Sequence, residues 1–223
     1  MRIISWNCNG RFRDKFSYIQ SYDADIYVIQ ECEDPSLRGN NAYKDFACNY
    51  LWIGENPNKG LGIFAKATVT LEPKDWPSYC LRCFLPVRIN NSFDLLGVWA
   101  CDPYIAEYYV YQCININHYN QDMVIIGDFN SNAIWDKKHG KRNHSTVVNE
   151  LAEIGLTSAY HATTGERQGL ESRHTFFQYR HLDKGFHIDH CFISCPRIKH
   201  FSILADKFLI EQSDHRPICL DIH

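Results

Sequence analysis

The chain has 223 residues, of which 45% are hydrophobic and 22% are charged, a balance that suits a single globular domain spanning residues 1–223 and excludes a disordered chain. Its formal net charge of −3 provides no overall basic field, so any anionic partner must be held by local charge. No apolar run approaches the roughly 20 residues that cross a bilayer, and the N-terminus MRIISWNCNG turns polar too early for a secretory signal, so we expect a cytoplasmic protein without a membrane partner.

The first half of the chain alternates short apolar runs with turn signals, which predicts mostly strands. Residues 2–6 (RIISW) form the first strand, and residues 14–22 have the spacing of a helix. The next buried strand, residues 26–31, ends on Glu31. Further strands are predicted at residues 61–66, 68–71, 83–89 and 93–99, followed by a helix at 104–119.

The second half opens with a buried strand at residues 123–126, which breaks abruptly into the sequence GDFN. A helix follows at residues 145–154, where Ser145 is a candidate cap. The last strands are predicted at residues 187–194 and 217–222. Many strands interleaved with helices, without a repeat or a linker, predict a mixed α/β layered sandwich.

The ten cysteines are spread from Cys8 to Cys219 and lack the dense spacing of a small secreted scaffold. Cys80 and Cys83 have the CxxC spacing of a zinc or redox site. Zinc, however, needs four well-placed ligands, and the only other close pair is Cys191 and Cys195. We therefore interpret the cysteines as reduced, free thiols.

Polar residues recur where predicted strands end, namely Asn7, Glu31, Asp128 with Asn130, Asp189, and Asp214 with His215. A single Gly-Asp after a strand is explained equally well by turn chemistry. Five such ends on one sheet edge are not, because clustered carboxylates repel unless a cation or a histidine neutralises them. Hard oxygen ligands of this kind suit Mg²⁺ or Mn²⁺, and the sequence contains no phosphate-cradling P-loop.

The ordered motifs WNCNG, IQE, GDFN, HID and SDHRP resemble those of the endonuclease/exonuclease/phosphatase superfamily, over residues 2–220. The segment HTFFQYRHLDKGFHIDHCFIS looks like the branch of exonuclease III and the apurinic endonucleases. The resemblance implies a DNase I-like, four-layered α/β sandwich, in which two packed mixed β-sheets are flanked by helices. It also implies an active site at the top of the two sheets.

Carried over by motif, the resemblance implies metal ligands at Glu31, Asn7 and Asp214, with Glu31 the principal ligand. Asp128 would position or deprotonate the attacking water, and Asn130 would hold a phosphate oxygen. His215, oriented by Asp189, would contact the scissile phosphate. The implied cofactor is Mg²⁺, with Mn²⁺ as a possible replacement.

The chain departs from the family at the end of the strand LLGVW. Members of the family usually place there a tyrosine or histidine that contacts the phosphate, whereas this chain has Trp99. Indole donates one hydrogen bond but accepts none. Tyr104, from the following loop, is a candidate replacement.

Two further segments offer substrate contacts. Lys137, Lys138, Lys141 and Arg142 are predicted to lie on a loop after GDFN, as a phosphate-binding cluster or as a merely solvated loop. Phe176, Phe177 and Tyr179 are candidates to stack on a base or to fill an abasic pocket, and we expect one of the two phenylalanines to belong to the core.

Three functions follow from these residues. The first is an Mg²⁺-dependent phosphodiester hydrolase, a nuclease acting on DNA. The second is a metal-dependent phosphatase or phosphodiesterase for a small-molecule or lipid-linked phosphoester. The third, a binding module that keeps the fold without catalysis, is disfavoured because the metal and water residues are complete.

Overall fold

The structure is a computed structural model that describes residues 1–223. Strands β1 to β7 are Arg2–Asn7, Ile26–Cys32, Tyr50–Asn56, Lys59–Ala65, Leu71–Pro73, Phe84–Ile89 and Phe93–Trp99. Strands β8 to β14 are Val124–Asp128, Thr157–Ser158, Phe176–Phe177, Gly185–Phe186, Asp189–Ile193, Ile198–Ile203 and Ile218–Ile222. Helices α1 to α8 are Phe16–Gln20, Pro35–Arg38, Asn41–Phe46, Ile105–Asn115, Asp136–His139, His144–Glu153, Ala159–Thr164 and Lys207–Gln212.

Twelve of the strands form two sheets of six. The first sheet has the order β13-β14-β1-β2-β4-β3, and the second has the order β5-β6-β7-β8-β12-β9. The pairs β1–β2 and β7–β8 are parallel, and the other neighbouring strands are antiparallel. Both sheets are therefore mixed, as predicted.

Three apolar clusters show that the molecule has four layers. The central cluster joins the inner faces of the two sheets, with Ile3 and Ile63 on one side and Leu95 and Ile126 on the other. The outer face of the first sheet packs under the short N-terminal helices, and that of the second sheet packs under α4 and α6. The predicted four-layered α/β sandwich is confirmed.

Several local predictions were wrong. The strand predicted at residues 68–71 is a turn, and β5 begins only at Leu71. Among the elements that were missed are the strands β3 and β13 and the helices α2, α3, α7 and α8. The cap of α6 is Asn143 rather than Ser145, because Asn143 Oδ1 accepts the Thr146 N–H at 2.8 Å.

The basic segment after GDFN was predicted as a loop, but it contains the short helix α5. Asp136 begins this helix, and Gly140 ends it with φ +58°, a conformation that glycine adopts without strain. All ten cysteines are free thiols, as predicted. No helix of the structure combines the length and the apolar character that crossing a bilayer requires.

Candidate active site

The candidate side chains meet at one edge of the sandwich because they continue the apolar stripes that face the other sheet. In β8, Val124 and Ile126 belong to the central cluster, and the two-residue period of a strand places Asp128 on the same face. The same alternation carries three more side chains to this edge, Asn7 in β1, Trp99 in β7 and Asp189 in β12. On each of these four strands, the side chains that face the other sheet thus lead to one candidate residue at this edge.

Glu31 reaches the same edge through a β-bulge. The β2–β4 register skips it between Gln30 and Cys32, and its φ of +63° is unusual for any residue other than glycine. Plain alternation would place Glu31 on the outer face with Ile29, yet Cys32 occupies that face instead. The bulge therefore turns the carboxylate inward, where its Oε1 lies 3.4 Å from Asn7 Nδ2.

Asp128 lies at the centre of the site and has no exposed surface. Asn7 Nδ2 donates to its Oδ2 at 3.0 Å, and Asn130 donates its backbone N–H to Oδ1 at 2.8 Å and its Nδ2 to Oδ2 at 3.1 Å. Burial, and then the neighbouring charge of Asp189, raise the pKa of Asp128 to about 7. A carboxyl group that titrates near neutrality suits proton exchange with water.

His215 is fixed by Asp189, whose Oδ2 lies 2.9 Å from its Nδ1. Burial opposes protonation of the ring, but the charges of Asp189 and Asp128 outweigh it and raise the pKa of His215 to about 10. The ring is therefore an imidazolium at neutral pH, and its Nε2–H makes no hydrogen bond to the protein. Ser213 Oγ accepts the His215 backbone N–H at 3.0 Å and donates to Asn7 O at 2.7 Å, which ties the histidine to the end of β1.

Two of the three predicted metal ligands, Asn7 and Asp214, are linked through a residue that sequence reasoning did not single out, Asn9. Asn7 Oδ1 accepts the Asn9 N–H at 3.0 Å, and Asn9 Nδ2 donates to Asp214 Oδ1 at 3.0 Å. Two carboxylates and an amide oxygen are the hard ligands that Mg²⁺ and Mn²⁺ prefer. The donor set of Glu31, Asn7 and Asp214 thus fits such an ion in its chemistry, after Asn7 Oδ1 is released from Asn9.

The structure also contains a second group of side chains that could hold a metal. One ligand atom from each of Asp128, Asp189 and His215 lies within 4.8 Å of the others. Three N–H donors already contact Asp128, and a protonated His215 offers no lone pair. Glu31 is the better anchor because its carboxylate is partly exposed and has only two polar contacts, Asn7 Nδ2 at 3.4 Å and the Lys59 ammonium at 3.0 Å.

Lys59 is the main residue that sequence reasoning missed at this site. Its Nζ lies 5.4 Å from the centre of the Trp99 ring, and Trp99 is the direct neighbour of Asp128 in the parallel β7–β8 ladder. A signal for Lys59 was present in the sequence, because it alternates with the core residues Leu61 and Ile63. The predicted strand began two residues too late to include it.

A cavity of about 450 Å³ opens beside Asn130, and its wall includes Tyr104, Phe176 and Lys138. The Phe176 ring centre lies 4.8 Å from that of His215, so this aromatic side chain borders the candidate catalytic residues. Phe177 is only 3% exposed, which makes it the core member of the pair. Tyr104 is 43% exposed and precedes α4, at the opening of the cavity.

The four basic residues after GDFN do not form one patch. All four are exposed, and Lys137 and Lys138 lie on α5. Lys138 lines the cavity beside Asn130, whereas Arg142 lines a separate cavity with Arg82 and Asp102. Of the four, Lys138 is therefore the one beside the candidate catalytic residues.

Three solved structures illustrate the similarity of this fold to known enzymes. The 3′ phosphatase NExo from Neisseria, solved with a product DNA hairpin, is 19% identical with a TM-score of 0.71, and the match covers 100% of this chain and 99% of that one. An AP endonuclease from Archaeoglobus fulgidus is 14% identical with a TM-score of 0.75, and the match covers 100% of this chain and 99% of that one. TDP2 from D. rerio, complexed with a single-strand DNA product, is 17% identical with a TM-score of 0.65, and the match covers 100% of this chain and 98% of that one.

These likenesses establish the fold. No curated protein sequence matches the chain. The model of the Endonuclease/Exonuclease/phosphatase family matches residues 4–215. This match includes Asn7, Glu31, Asp128, Asp189 and His215, so the chain belongs to the endonuclease/exonuclease/phosphatase family.

Proposed function

We propose that the chain is an Mg²⁺-dependent phosphodiester hydrolase and that it acts on DNA as a nuclease of the exonuclease III type. The family hydrolyses phosphate esters. The observation that carries the proposal is the pairing of two groups, the near-neutral Asp128 carboxyl and the imidazolium of His215, on one edge with the Glu31 carboxylate. Acid–base and cationic groups at a carboxylate-rich edge suit attack of water on phosphorus.

Glu31, Asn7 and Asp214 would hold the metal, with Glu31 as the principal ligand and Mn²⁺ as an alternative to Mg²⁺. When bound, the metal would polarise the phosphate oxygens and stabilise the charge that develops as water attacks. The bulge at Glu31 supports this assignment, because a residue in a sparsely populated conformation is retained where function requires its position.

The protein's own groups perform the proton and charge steps. An ionised carboxylate has about four acceptor sites, and N–H donors occupy three of those of Asp128. Asn130, which lines the cavity, turns its amide from Asp128 to a phosphate oxygen, which leaves two acceptor sites open to the attacking water. Asp128 takes the proton of that water. His215 donates its Nε2–H to the phosphate, while Asp189 holds the ring through Nδ1.

A DNA substrate is supported by local charge and by the relatives. Lys138 lies at the cavity beside Asn130, with Lys137, Lys141 and Arg142 nearby in the chain. The similar structures of NExo and TDP2 contain DNA products. We propose that Phe176, Tyr104 and Trp99 contact the nucleotide at the cleavage site, where aromatic faces suit bases and sugars.

A small-molecule or lipid-linked phosphoester is the second candidate substrate. The observation that favours it is the cavity of about 450 Å³, which falls in the size range of small-ligand sites. The net charge of −3 favours it too, since a polyanion gains no overall attraction. A non-catalytic binding module is disfavoured by the raised pKa values of Asp128 and His215 at the site. We retain a single catalytic domain over residues 1–223 and a cytoplasmic location as predictions.

A panel of substrates tests the proposal. We expect the protein with Mg²⁺ to cleave a labelled duplex with an abasic site, or with a recessed 3′ end, faster than a chromogenic phosphodiester. The same preparation with Asp128→Asn is the control for contaminating nucleases. Intact nucleic acids, together with hydrolysis of a nucleotide, sugar or inositol phosphate, would refute the nuclease and favour the second candidate.

A further inference from the structure

The β3–β4 hairpin places Lys59 at the edge of the sandwich where the candidate catalytic side chains meet. It is the first residue of β4 and lies on the same face of that strand as Leu61 and Ile63 of the central cluster. The hairpin turn is closed by Asn56 Oδ1, which accepts the Asn58 N–H at 3.0 Å. The hairpin thus fixes the position of the Lys59 backbone, from which the side chain extends towards Glu31 and Trp99.

The Lys59 ammonium has two neighbours, and neither contact is a buried ion pair. Its Nζ lies 3.0 Å from Glu31 Oε2, with 49% of the lysine side chain exposed and 18% of the glutamate side chain. Exposed pairs of this kind are weak and exchange partners readily. The centre of the Trp99 ring is 5.4 Å from Nζ, so the ring attracts the ammonium through a cation–π contact. The indole accepts no hydrogen bond, so this contact leaves the N–H groups of Lys59 free to donate to another group.

Lys59 and His215 flank the catalytic centre from two sides. Across the interface between the sheets, β4 packs against β7 and β12 packs against β14, while β1 packs against β8 between them. Lys59 and Trp99 therefore lie on one side of the pair Asn7 and Asp128, and His215 lies on the other. A phosphate bound at this centre has a cation on each side.

We propose that Lys59 is a phosphate-binding residue of this active site, held in place by the Trp99 ring and by Glu31. Before a metal binds, Lys59 neutralises the Glu31 carboxylate. When Glu31 engages the metal, the ammonium stays over Trp99 and contacts a non-bridging oxygen of the scissile phosphate. This inference rests on the proposed phosphoester hydrolysis at Glu31 and adds a residue that the motifs do not contain.

A purely structural salt bridge makes the opposite prediction for metal binding. If Lys59 only held Glu31 in place, its removal would loosen the carboxylate and weaken the metal. If instead Lys59 gives up Glu31 to the metal, its removal abolishes two effects. The ammonium no longer repels the metal ion, and it no longer competes with the ion for the Glu31 carboxylate. Metal binding then becomes tighter while substrate binding and turnover become worse, and this pair of opposite changes identifies the proposed role.

The test compares the wild type with Lys59→Met, Lys59→Arg and Lys66→Met. Lys66 is the matched control, since it is 39% exposed and pairs with Asp23 and Asp25. Binding of Mn²⁺ without substrate is followed by the electron paramagnetic resonance of the free ion. Turnover with saturating Mg²⁺ is measured on a recessed 3′ end and on a chromogenic phosphodiester, using whichever the wild type cleaves.

For Lys59→Met we expect Mn²⁺ to bind severalfold more tightly and kcat/KM to fall about tenfold or more, as for loss of one charged donor to the transition state. Lys59→Arg should regain part of the activity, and Lys66→Met should change neither quantity. Trp99→Phe should lower kcat/KM less than Lys59→Met does, because the phenyl ring still offers the ammonium an aromatic face.

Weaker or unchanged Mn²⁺ binding in Lys59→Met, or unchanged kcat/KM, overturns the inference alone. A wild type that hydrolyses no phosphoester overturns the proposed function and the inference with it.

Discussion

Asp128 and Asp189 stand directly opposite each other in the antiparallel ladder of β8 and β12, and both are buried. Two carboxyl groups in such a position repel each other unless other groups compensate them. The compensation divides their roles, because His215 pairs with Asp189 while Asn7 and Asn130 donate to Asp128. We therefore expect Asp128 to be the carboxyl group that exchanges a proton and Asp189 to be the one that orients the His215 ring.

This division predicts the effect of two substitutions on turnover. Asp128→Asn and His215→Ala should each lower kcat on the order of 100-fold or more, because positioned acid–base and electrostatic groups contribute that much. Urea unfolding of both variants should remain cooperative. His181→Ala, which removes an exposed histidine, is the control. Near-normal turnover of either variant would refute the role assigned to that residue.

Metal dependence is the second expectation. Excess EDTA should abolish hydrolysis and Mg²⁺ or Mn²⁺ should restore it, because the metal supplies charge stabilisation that no side chain replaces. Glu31→Gln should raise the Mg²⁺ concentration required for half-maximal activity. Glu55→Gln, on an exposed glutamate that pairs with Arg82, should leave that concentration unchanged. Full activity in EDTA would exclude the metal.

The positions of the catalytic candidates on their strands could be predicted from the sequence wherever the strand was regular. Asn7 and Asp128 extend alternating stripes, and the strand prediction for 93–99 agrees with the structure to the residue. The roles expected of these residues come only from the resemblance of the ordered motifs to the family.

Three features could not be read in this way. The bulge at Glu31 depends on how β2 pairs with β4, which local sequence does not specify. Lys59 lies next to Gly60, and the poor strand propensity of glycine led the predicted strand to begin at Leu61. The basic segment was predicted as a loop because charge runs usually are, although α5 forms within it.

The glycine of GDFN should tolerate no side chain. A Cβ on Gly127 would lie 1.9 Å from the backbone oxygen of Val98 in the adjacent strand β7. Gly127→Ala should therefore lower the free energy of unfolding by several kcal/mol, or prevent folding, since β7 and β8 must separate. Gly140→Ala is the control, because nothing lies within 4 Å there and only the backbone strain at a φ of +58° remains, so it should cost about 1–3 kcal/mol. Chemical denaturation measures both changes, and equal losses would refute the close approach.

Buried histidines should make the fold sensitive to acid. Burial lowers the pKa of His144 to about 4 from an ordinary value of 6.5, and it also lowers the pKa values of His187 and His190. At these three histidines the unfolded chain therefore binds more protons than the folded one below pH 6.5. The stability that they contribute is complete above that pH and is lost as the pH falls towards 4, by about 3 kcal/mol for His144 alone.

Urea unfolding between pH 7 and pH 4.5 measures this loss. The slope of the free energy of unfolding against pH is proportional to the number of protons taken up on unfolding. His144→Gln should reduce this slope by the amount that corresponds to the loss of at most one proton. His181→Gln, at an exposed position, should leave the slope unchanged. An unaltered slope in His144→Gln would show that His144 does not bind the proton that destabilises the fold.

Salt dependence separates a nucleic-acid substrate from a small phosphoester. A polyanion releases counterions from every lysine or arginine that it engages, so its binding weakens steeply with salt, whereas a single phosphate responds weakly. Replacing Lys137, Lys138, Lys141 and Arg142 together by Ser should raise KM for a duplex and flatten its salt dependence. Lys138→Ser alone should account for the largest share of the rise in KM for the duplex, because only Lys138 of the four lines the cavity beside Asn130.

KM for the chromogenic phosphodiester should barely change, and Lys44→Ser on α3 should change KM for neither substrate. Equal effects on both substrates would mean that these residues act on the catalytic centre rather than on the nucleic-acid backbone.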